Sequence, residues 1–168
     1  MLTPEFIAMI DRGVSAIVAS RSRDHRPSAM RAVGSCIAPD GQFVTVYLTR
    51  PHARQLLQDL GDTGMIAVVF SDPASHRTVQ LKASNVAIRP AETGDEAVLE
   101  RYLRSMEKNL AQVGFAGPYA RVMLQHKLEE TVAVSFKPEQ AFDQTPGPQA
   151  GRALGASAEA GGSPGAPA

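Results

Sequence analysis

The chain has 168 residues, of which 43% are hydrophobic, and its 17 basic residues balance 17 acidic ones. This length is enough for one domain with a sizeable core, but not for two large domains. Balanced charge gives no overall field to hold nucleic acid or an anionic membrane, so any bound anion must be held locally.

The N-terminal stretch "MLTPEF" lacks the basic and apolar regions of a signal peptide. The longest apolar run, residues 65–70, is far too short to cross a bilayer. The single cysteine, Cys36, excludes an internal disulfide and lies in an apolar strand pattern typical of a core residue. These features predict a soluble, cytoplasmic protein.

The first part of the chain predicts one helix followed by three strands. Thr3 before Pro4 is a helix start and Gly13 a helix end, so we expect a helix over residues 4–12. Apolar runs predict strands over residues 14–20, 29–38 and 42–49. The turn sequence "PDG" between the last two predicts a hairpin.

The second part mixes helices and strands. A helix with an apolar stripe of leucines follows the third strand, and strands are predicted over residues 64–72 and 76–90. Helical periodicity then covers residues 95–113, and a shorter helix runs from Pro118 to about Lys127. A sixth strand is predicted from Thr131, and the segment 139–151 is expected to be irregular.

Six strands in mostly hairpin order, with helices after the third and fifth, predict a mainly β fold: a six-stranded antiparallel barrel closed at its ends by helices. An open α+β sandwich is the alternative. We assign residues 1–150 to this domain and residues 151–168, rich in Gly, Ala, Ser and Pro, to a disordered tail. Long strands of this kind often pair across a two-fold axis, which favours a homodimer.

Basic residues gather where the helix after the third strand begins: Arg50, His52 and Arg54. Cations are mildly unfavourable at a helix N-terminus, whereas a bound phosphate would be held there by backbone N–H groups and arginines together. Hairpin geometry also brings Arg31 and Thr49 towards this end. The sequence therefore predicts a site for a phosphate monoester.

Familiar catalytic motifs are missing from the sequence. It has no Gly-rich phosphate loop, no nucleophile elbow and no pair of histidines at metal-binding spacing. We therefore assign no catalytic residue and no metal site, and expect either a binding module or an enzyme that uses a cofactor's chemistry. The basic turn around His25 is typical of a solvated loop, and contact with an anionic substrate or an extended cofactor is the alternative.

Four segments carry a family resemblance: "RAVG", "VYLT" with Arg54 five residues after Thr49, "MIAVVF" and "RTVQLKAS". Over residues 14–90 the chain resembles the flavin-binding split barrels related to pyridoxamine 5′-phosphate oxidase. The resemblance implies a homodimer that binds flavin mononucleotide (FMN) at its interface. It assigns phosphate contacts to Arg31, Thr49 and Arg54, backbone or apolar contacts to Val33 and Leu48, and a polar contact with the isoalloxazine to Thr78 or, second, Gln80.

The chain also departs from this family. It has Ala53-Arg54-Gln55 where the family has Ser-Arg-Lys, and it lacks the oxidase's C-terminal Arg-x-His segment. We therefore expect an FMN-dependent oxidoreductase of unknown substrate, distinct from a true pyridoxamine phosphate oxidase. The alternatives are a deazaflavin-dependent reductase and a non-enzymatic flavin- or haem-binding protein, for which His126 is the candidate haem ligand.

Overall fold

A computed structural model describes residues 2–115 and 117–155, so most of the predicted tail, residues 156–168, lies outside the described residues. The helices are α1 (Pro4–Arg12), α2 (Arg54–Thr63), α3 (Glu96–Gln112) and α4 (Tyr119–Met123). The strands are β1 (Ser15–Arg21), β2 (Pro27–Arg31), β3 (Gly34–Ile37), β4 (Val44–Thr49), β5 (Ile66–Ser71), β6 (Thr78–Ala83), β7 (Val86–Pro90), β8 (Thr131–Phe136), β9 (Gln140–Asp143) and β10 (Arg152–Ala153).

The strands form two antiparallel sheets. The larger has six strands in the order β10-β9-β6-β5-β1-β2, and the smaller has four in the order β3-β4-β8-β7. This confirms the prediction of antiparallel sheet with inserted helices. Within residues 2–115 and 117–155 the two sheets do not join into a closed barrel, and the strands number ten rather than the predicted six.

Two predicted strands are each divided between the sheets. The predicted strand 29–38 breaks after β2, where Ala32 N donates to Ala16 O in the larger sheet and Val33 N donates to Tyr47 O in the smaller one. The predicted strand 76–90 breaks at residues 84–85, between β6 and β7. The alternation of apolar and polar residues lapses at each bend, at Ala32-Val33 and at Ser84-Asn85, but strand-like residues continue on both sides and the prediction joined them.

The main core fills the space between the sheets and is covered by α1 and α2. Helix α1 begins and ends as predicted, since the Thr3 hydroxyl accepts from Phe6 N at 3.4 Å and Gly13 closes the helix with a φ of 88°. Its buried residues are Phe6, Met9 and Ile10. Each such side chain contributes about 1.5–3 kcal/mol through removal from water.

Helix α3 packs on the smaller sheet through Leu99, and α3 and α4 pack on each other through Tyr102, Met106, Leu110 and Ala120. Helix α3 matches its predicted range within two residues. Helix α4 is shorter than predicted, because it ends at Met123 and leaves residues 124–127 as a connecting segment. No helix within the described ranges is both long and apolar enough to cross a bilayer.

The C-terminal segment predicted to be irregular contains a strand. Gln140–Asp143 pairs with β6 as β9, and Arg152–Ala153 pairs with β9 as β10. Leu154 N donates to Ala141 O at 2.7 Å, and the Leu154 side chain packs against the main core. The described structure therefore continues past the predicted boundary at residue 151, because one apolar side chain and a short ladder hold the segment.

Candidate functional site

A cavity of about 310 Å³ lies where β2, the end of β4, the turn before α2, the end of α4 and the segment after it meet. Three of the six residues assigned to cofactor binding, Arg31, Val33 and Thr49, line it. Its other lining residues are Met30, Pro51, His52, Val122, Met123, Gln125, His126, Lys127 and Glu130. The lining thus combines apolar side chains with two cations, Arg31 and Lys127, and one carboxylate, Glu130.

Arg31 is half-buried at the end of β2, and its Nη1 donates to the Ser15 hydroxyl at 2.7 Å. Antiparallel pairing places Arg31 opposite Ile17, and Ser15 lies on the same face of β1 as Ile17. The serine therefore fixes the direction of the guanidinium. A guanidinium has five N–H groups, so the contact with Ser15 leaves further donors for a ligand.

Thr49 ends β4 and shapes the turn into α2. Its carbonyl accepts from His52 N at 3.2 Å and Ala53 N at 3.0 Å, and its buried hydroxyl lies 3.2 Å from His52 Nδ1. Helix α2 then begins without a side-chain cap, because Ala53 stands at the capping position. The first turn of α2 therefore presents backbone N–H groups that have no capping side chain.

Arg54 is the first residue of α2, is exposed and does not line the cavity. Gln55, where the family has lysine, donates from Nε2 to the Asp59 carboxylate at 2.9 Å. Asp59 is buried and also accepts from the Ser28 hydroxyl at 2.6 Å. In this chain, position 55 therefore serves to hold a buried carboxylate against β2.

Leu48 and Thr78 lie away from the cavity. The Leu48 side chain is fully buried in the main core. Thr78 begins β6, where its hydroxyl lies 2.8 Å from that of Ser71 and its backbone N donates to the Thr145 hydroxyl. Thr78 and Gln80 share the face of the larger sheet that points away from the core.

This outward face of the larger sheet connects Thr78 to Arg31. Register places Thr78 opposite Ser71, and Ser71 opposite Ser15, the partner of the Arg31 guanidinium. Neighbouring strands lie about 4.8 Å apart, so the Cα atoms of Thr78 and Ser15 are separated by about 10 Å. Two further rows of cross-strand neighbours run over β6, β5, β1 and β2 on the same face. The first row is Gln80, Val69, Ile17 and Arg31, and the second row is Lys82, Ala67, Ala19 and Ala29.

Prediction from sequence missed two charged residues of the cavity, Lys127 and Glu130, and weighed His126 only as a haem ligand. All three follow α4, and an expected helix reaching Lys127 concealed the turn that brings them to the cavity. The basic turn around His25 lies at the opposite end of β2 from Arg31 and contributes nothing to the cavity.

A second polar cluster, Tyr47, Arg89 and Asp95, is separate from the cavity. Asp95 is buried and accepts from the Tyr47 hydroxyl at 2.8 Å, from Glu92 N at 2.8 Å, and from two Arg89 nitrogens at 2.6 and 2.8 Å. The Arg89 hydrogen bonds hold the pKa of Asp95 well below its usual range. Burial, followed by the hydrogen bond to Asp95, raises the pKa of Tyr47 far above its ordinary value.

The structure supports neither a reactive cysteine nor a metal site in the described residues. Burial raises the pKa of the Cys36 thiol, which favours an unreactive thiol over a thiolate. Within the ranges 2–115 and 117–155, no three histidine, cysteine or carboxylate side chains come together as ligands for a metal ion.

No family model matches the chain, and no curated protein matches its sequence. Solved structures do match it. An F420 reductase has a TM-score of 0.57 at 14% identity, over 83% of this chain and 98% of the other. HupZ of Group A Streptococcus has a TM-score of 0.55 at 16% identity, over 90% and 100%. A pyridoxamine 5′-phosphate oxidase-related, FMN-binding protein of Nostoc punctiforme has a TM-score of 0.51 at 10% identity, over 88% and 87%.

Proposed function

Starting from the fold that this chain shares with proteins related to pyridoxamine 5′-phosphate oxidase, we propose that it is an FMN-binding split barrel and a flavin-dependent oxidoreductase. The observation that carries the proposal is the cavity in which Arg31 and Thr49 lie together beside the uncapped start of α2. Its substrate is a small molecule other than pyridoxamine phosphate, since the chain lacks the oxidase's Arg-x-His segment.

The donors in the cavity, together with those of the helix start that follows its lining turn, fit a phosphate monoester. A guanidinium, a threonine hydroxyl and the N–H groups of a helix start are the groups that recur around bound phosphates. Arg31 is already oriented by Ser15, so little side-chain entropy is lost when it binds an anion. Arg54, on the first turn of α2, is long and exposed, and it can turn its charge towards the same anion.

The outward face of the larger sheet fits the flavin ring. Ile17 and Val69 give it an apolar centre, while Thr78 and Gln80 give it polar groups beside that centre. A bound FMN would supply hydride or electron transfer, and the protein's own residues would anchor the phosphate, orient the ring and exclude water. One hydrogen bond between the ring and Thr78 or, as the second choice, Gln80 would orient the ring.

The same face supports a homodimer with the cofactor at its interface. The centre of this face carries small apolar side chains, with Ala19, Ala29 and Ala67 in one row, and its edge carries polar side chains. Such a rimmed apolar sheet face is typical of an interface, and a second copy packed against it would cover the ring.

The cofactor assignment is tested by titrating the purified protein with FMN and following flavin fluorescence. We expect saturable binding by the wild type and a large loss in the double variant Arg31→Ala/Arg54→Ala. Each charge-assisted contact is worth about 1.5–3 kcal/mol, so each removal weakens binding by roughly ten- to a hundredfold.

Arg104→Ala is the matched control, because Arg104 is an exposed arginine on α3 that pairs with Glu100 and lies away from the cavity. It should leave FMN affinity unchanged. Equal affinity in the wild type and the double variant would overturn the phosphate site. A wild type indifferent to FMN but isolated with a Soret band would favour the haem alternative.

The dimer assignment is tested by Ile17→Glu, measured by sedimentation velocity. A carboxylate in the apolar centre of the outward face should turn a dimer into a monomer and weaken FMN binding with it. Ile88→Glu is the control, because Ile88 lies on β7 of the smaller sheet and is 40% exposed. A wild type that sediments as a monomer would contradict the dimer.

A deazaflavin is the second candidate cofactor, and the likeness to an F420 reductase is the observation that favours it. Deazaflavin and FMN would use the same phosphate contacts, so the two hypotheses differ only in which cofactor the protein binds more tightly. Competition between FMN and F420 for the wild-type protein separates them. Displacement of bound FMN by a small excess of F420 would favour the deazaflavin.

A further inference from the structure

His126 lies on the cavity wall with one of its two ring nitrogens already engaged. Its Nδ1 is 2.8 Å from the carbonyl oxygen of Leu124, two residues earlier. A carbonyl oxygen can only accept a hydrogen bond, so Nδ1 carries a proton and donates it. In the neutral ring Nε2 therefore has a lone pair, and it has no partner within the described part of the chain.

The hydrogen bond to Leu124 also fixes the orientation of the ring. Leu124 is buried and packs with α3, so its carbonyl is held by the core, and the half-buried imidazole is held in turn. Because His126 lines the cavity and Nδ1 is occupied, the Nε2 edge is the part of the ring that can contact a molecule there. A ring prepared in this way is suited to exchange a proton with a ligand.

The other charged and titratable groups on the cavity wall are Arg31 from β2, His52 from the turn before α2, and Lys127 and Glu130 beside His126. Lys127 Nζ lies 3.5 Å from a Glu130 carboxylate oxygen, so these two charges partly offset each other. His52 already shares its Nδ1 with the Thr49 hydroxyl and is exposed. His126 is thus the more enclosed of the two histidines.

We propose that His126 is a ligand-binding residue of this cavity, which takes up a proton on Nε2 when a phosphate monoester binds and donates it to a phosphate oxygen. This assignment rests on the proposed function. A phosphate monoester is mainly a dianion at about pH 7.5, and an opposite charge nearby stabilises imidazolium. The proton comes from the solvent, so Nε2 changes from an acceptor to a donor and the complex gains one charge-assisted hydrogen bond.

Proton-linked binding has a direct signature. If one proton is taken up with each FMN, the FMN affinity falls as the pH rises, by up to tenfold per pH unit. Calorimetric titrations at about pH 7.5 in two buffers of different ionisation enthalpy count the protons taken up with each FMN. Riboflavin, which has the same ring and no phosphate, should bind with little uptake.

Two substitutions of His126 distinguish the roles of its two ring nitrogens. His126→Asn keeps a donor for the Leu124 carbonyl near the place of Nδ1, whereas His126→Gln keeps a neutral polar group near the place of Nε2. Neither can titrate, so both should lose most of the proton uptake and the pH dependence while still binding FMN. His25→Asn is the matched control, since His25 is exposed at the far end of β2 and asparagine tolerates its left-handed φ of 64°.

The outcomes distinguish this inference from the proposed function. FMN binding with uptake lost in both His126 variants and kept in His25→Asn would support it. FMN binding with uptake unchanged in the His126 variants would overturn it and leave the proposed function intact. Uptake lost only in His52→Asn would also overturn it, by assigning the proton to His52. A wild type that binds no FMN would overturn the proposed function and this assignment together.

Discussion

The Tyr47–Arg89–Asp95 cluster and the cavity around Arg31 both bring charged groups into partly buried positions, but they differ in how fully those groups are paired. Asp95 receives four hydrogen bonds from the protein itself. Arg31 gives one to Ser15 and keeps further donors beside Thr49 and His126. A charge whose hydrogen bonds are all made within the fold stabilises it, whereas one with spare donors is suited to bind a ligand.

The cluster also has a clear structural task. Tyr47 belongs to β4, Arg89 to β7, and Asp95 ends the short 3₁₀ turn (Thr93–Asp95) from which α3 begins. Asp95 also forms a capping box with Glu92. One carboxylate therefore joins the smaller sheet to the longest helix. The cavity joins elements too, but its polar groups face a space that can hold a ligand.

The largest expected effect is the loss of stability in Asp95→Ala. The change leaves the buried Tyr47 hydroxyl and Glu92 N–H unpaired and removes both Arg89 contacts, so we expect unfolding to become easier by about 3 kcal/mol. Urea unfolding measures this change. Arg104→Ala removes an exposed arginine pair and should change stability by less than about 0.5 kcal/mol. Similar losses of unfolding free energy in the two variants would show that the buried, fully paired carboxylate stabilises the fold no more than an exposed ion pair does.

The same carboxylate should give stability a recognisable pH dependence. Because the folded protein lowers the pKa of Asp95, its contribution is complete above the unfolded value of about 4 and is lost as the pH falls towards the folded value. The difference in unfolding free energy between wild type and Asp95→Asn should be constant from about pH 5 to 7 and shrink below about pH 4. A difference that grows in acid would contradict this assignment.

Arg31→Ala should affect ligand binding strongly and stability weakly, the opposite of what is expected for Asp95→Ala. We expect FMN affinity to fall roughly ten- to a hundredfold, while the free energy of unfolding without ligand changes by less than about 1 kcal/mol, since the change removes one hydrogen bond, to Ser15, from the described part of the chain. Fluorescence titration and urea unfolding of the same sample give both numbers. A loss of stability as large as that of Asp95→Ala would make Arg31 a structural residue.

The smallest effect is expected at Ser35, whose hydroxyl is buried without a hydrogen-bond partner in the part of the chain that the structure describes. Ser35→Ala removes an unpaired polar atom from the core, so we expect unfolding to become harder by up to about 1 kcal/mol. Ser28→Ala, which removes a donor to buried Asp59, should lower stability instead. Denaturation midpoints with equal slopes would show both changes.

Much of the fold follows from local sequence. Capping at Thr3 and Gly13, the 3.6-residue periodicity of α3 and the "PDG" turn between β3 and β4 depend on neighbouring residues, and the structure agrees with each. The strand breaks at residues 32–33 and 84–85, in contrast, do not follow from neighbouring residues. They depend on which distant strand receives each backbone hydrogen bond, for example Ala16 or Tyr47, and one strand's pattern carries no record of its partner.

The candidate site divides in the same way. The sequence predicted that Arg31, Thr49 and a basic helix start come together at one end of a hairpin. In the structure Arg31 and Thr49 line one cavity although β2 and β4 belong to different sheets, and Arg54 lies outside it. Their role in binding FMN stays a prediction. Only the tertiary structure decided that Asp59 is buried against Ser28, that Leu48 is in the core, and that His126 and Lys127 reach the cavity from nearly 80 positions along the chain from Thr49. Contacts of that separation depend on how whole elements pack, which local propensity does not encode.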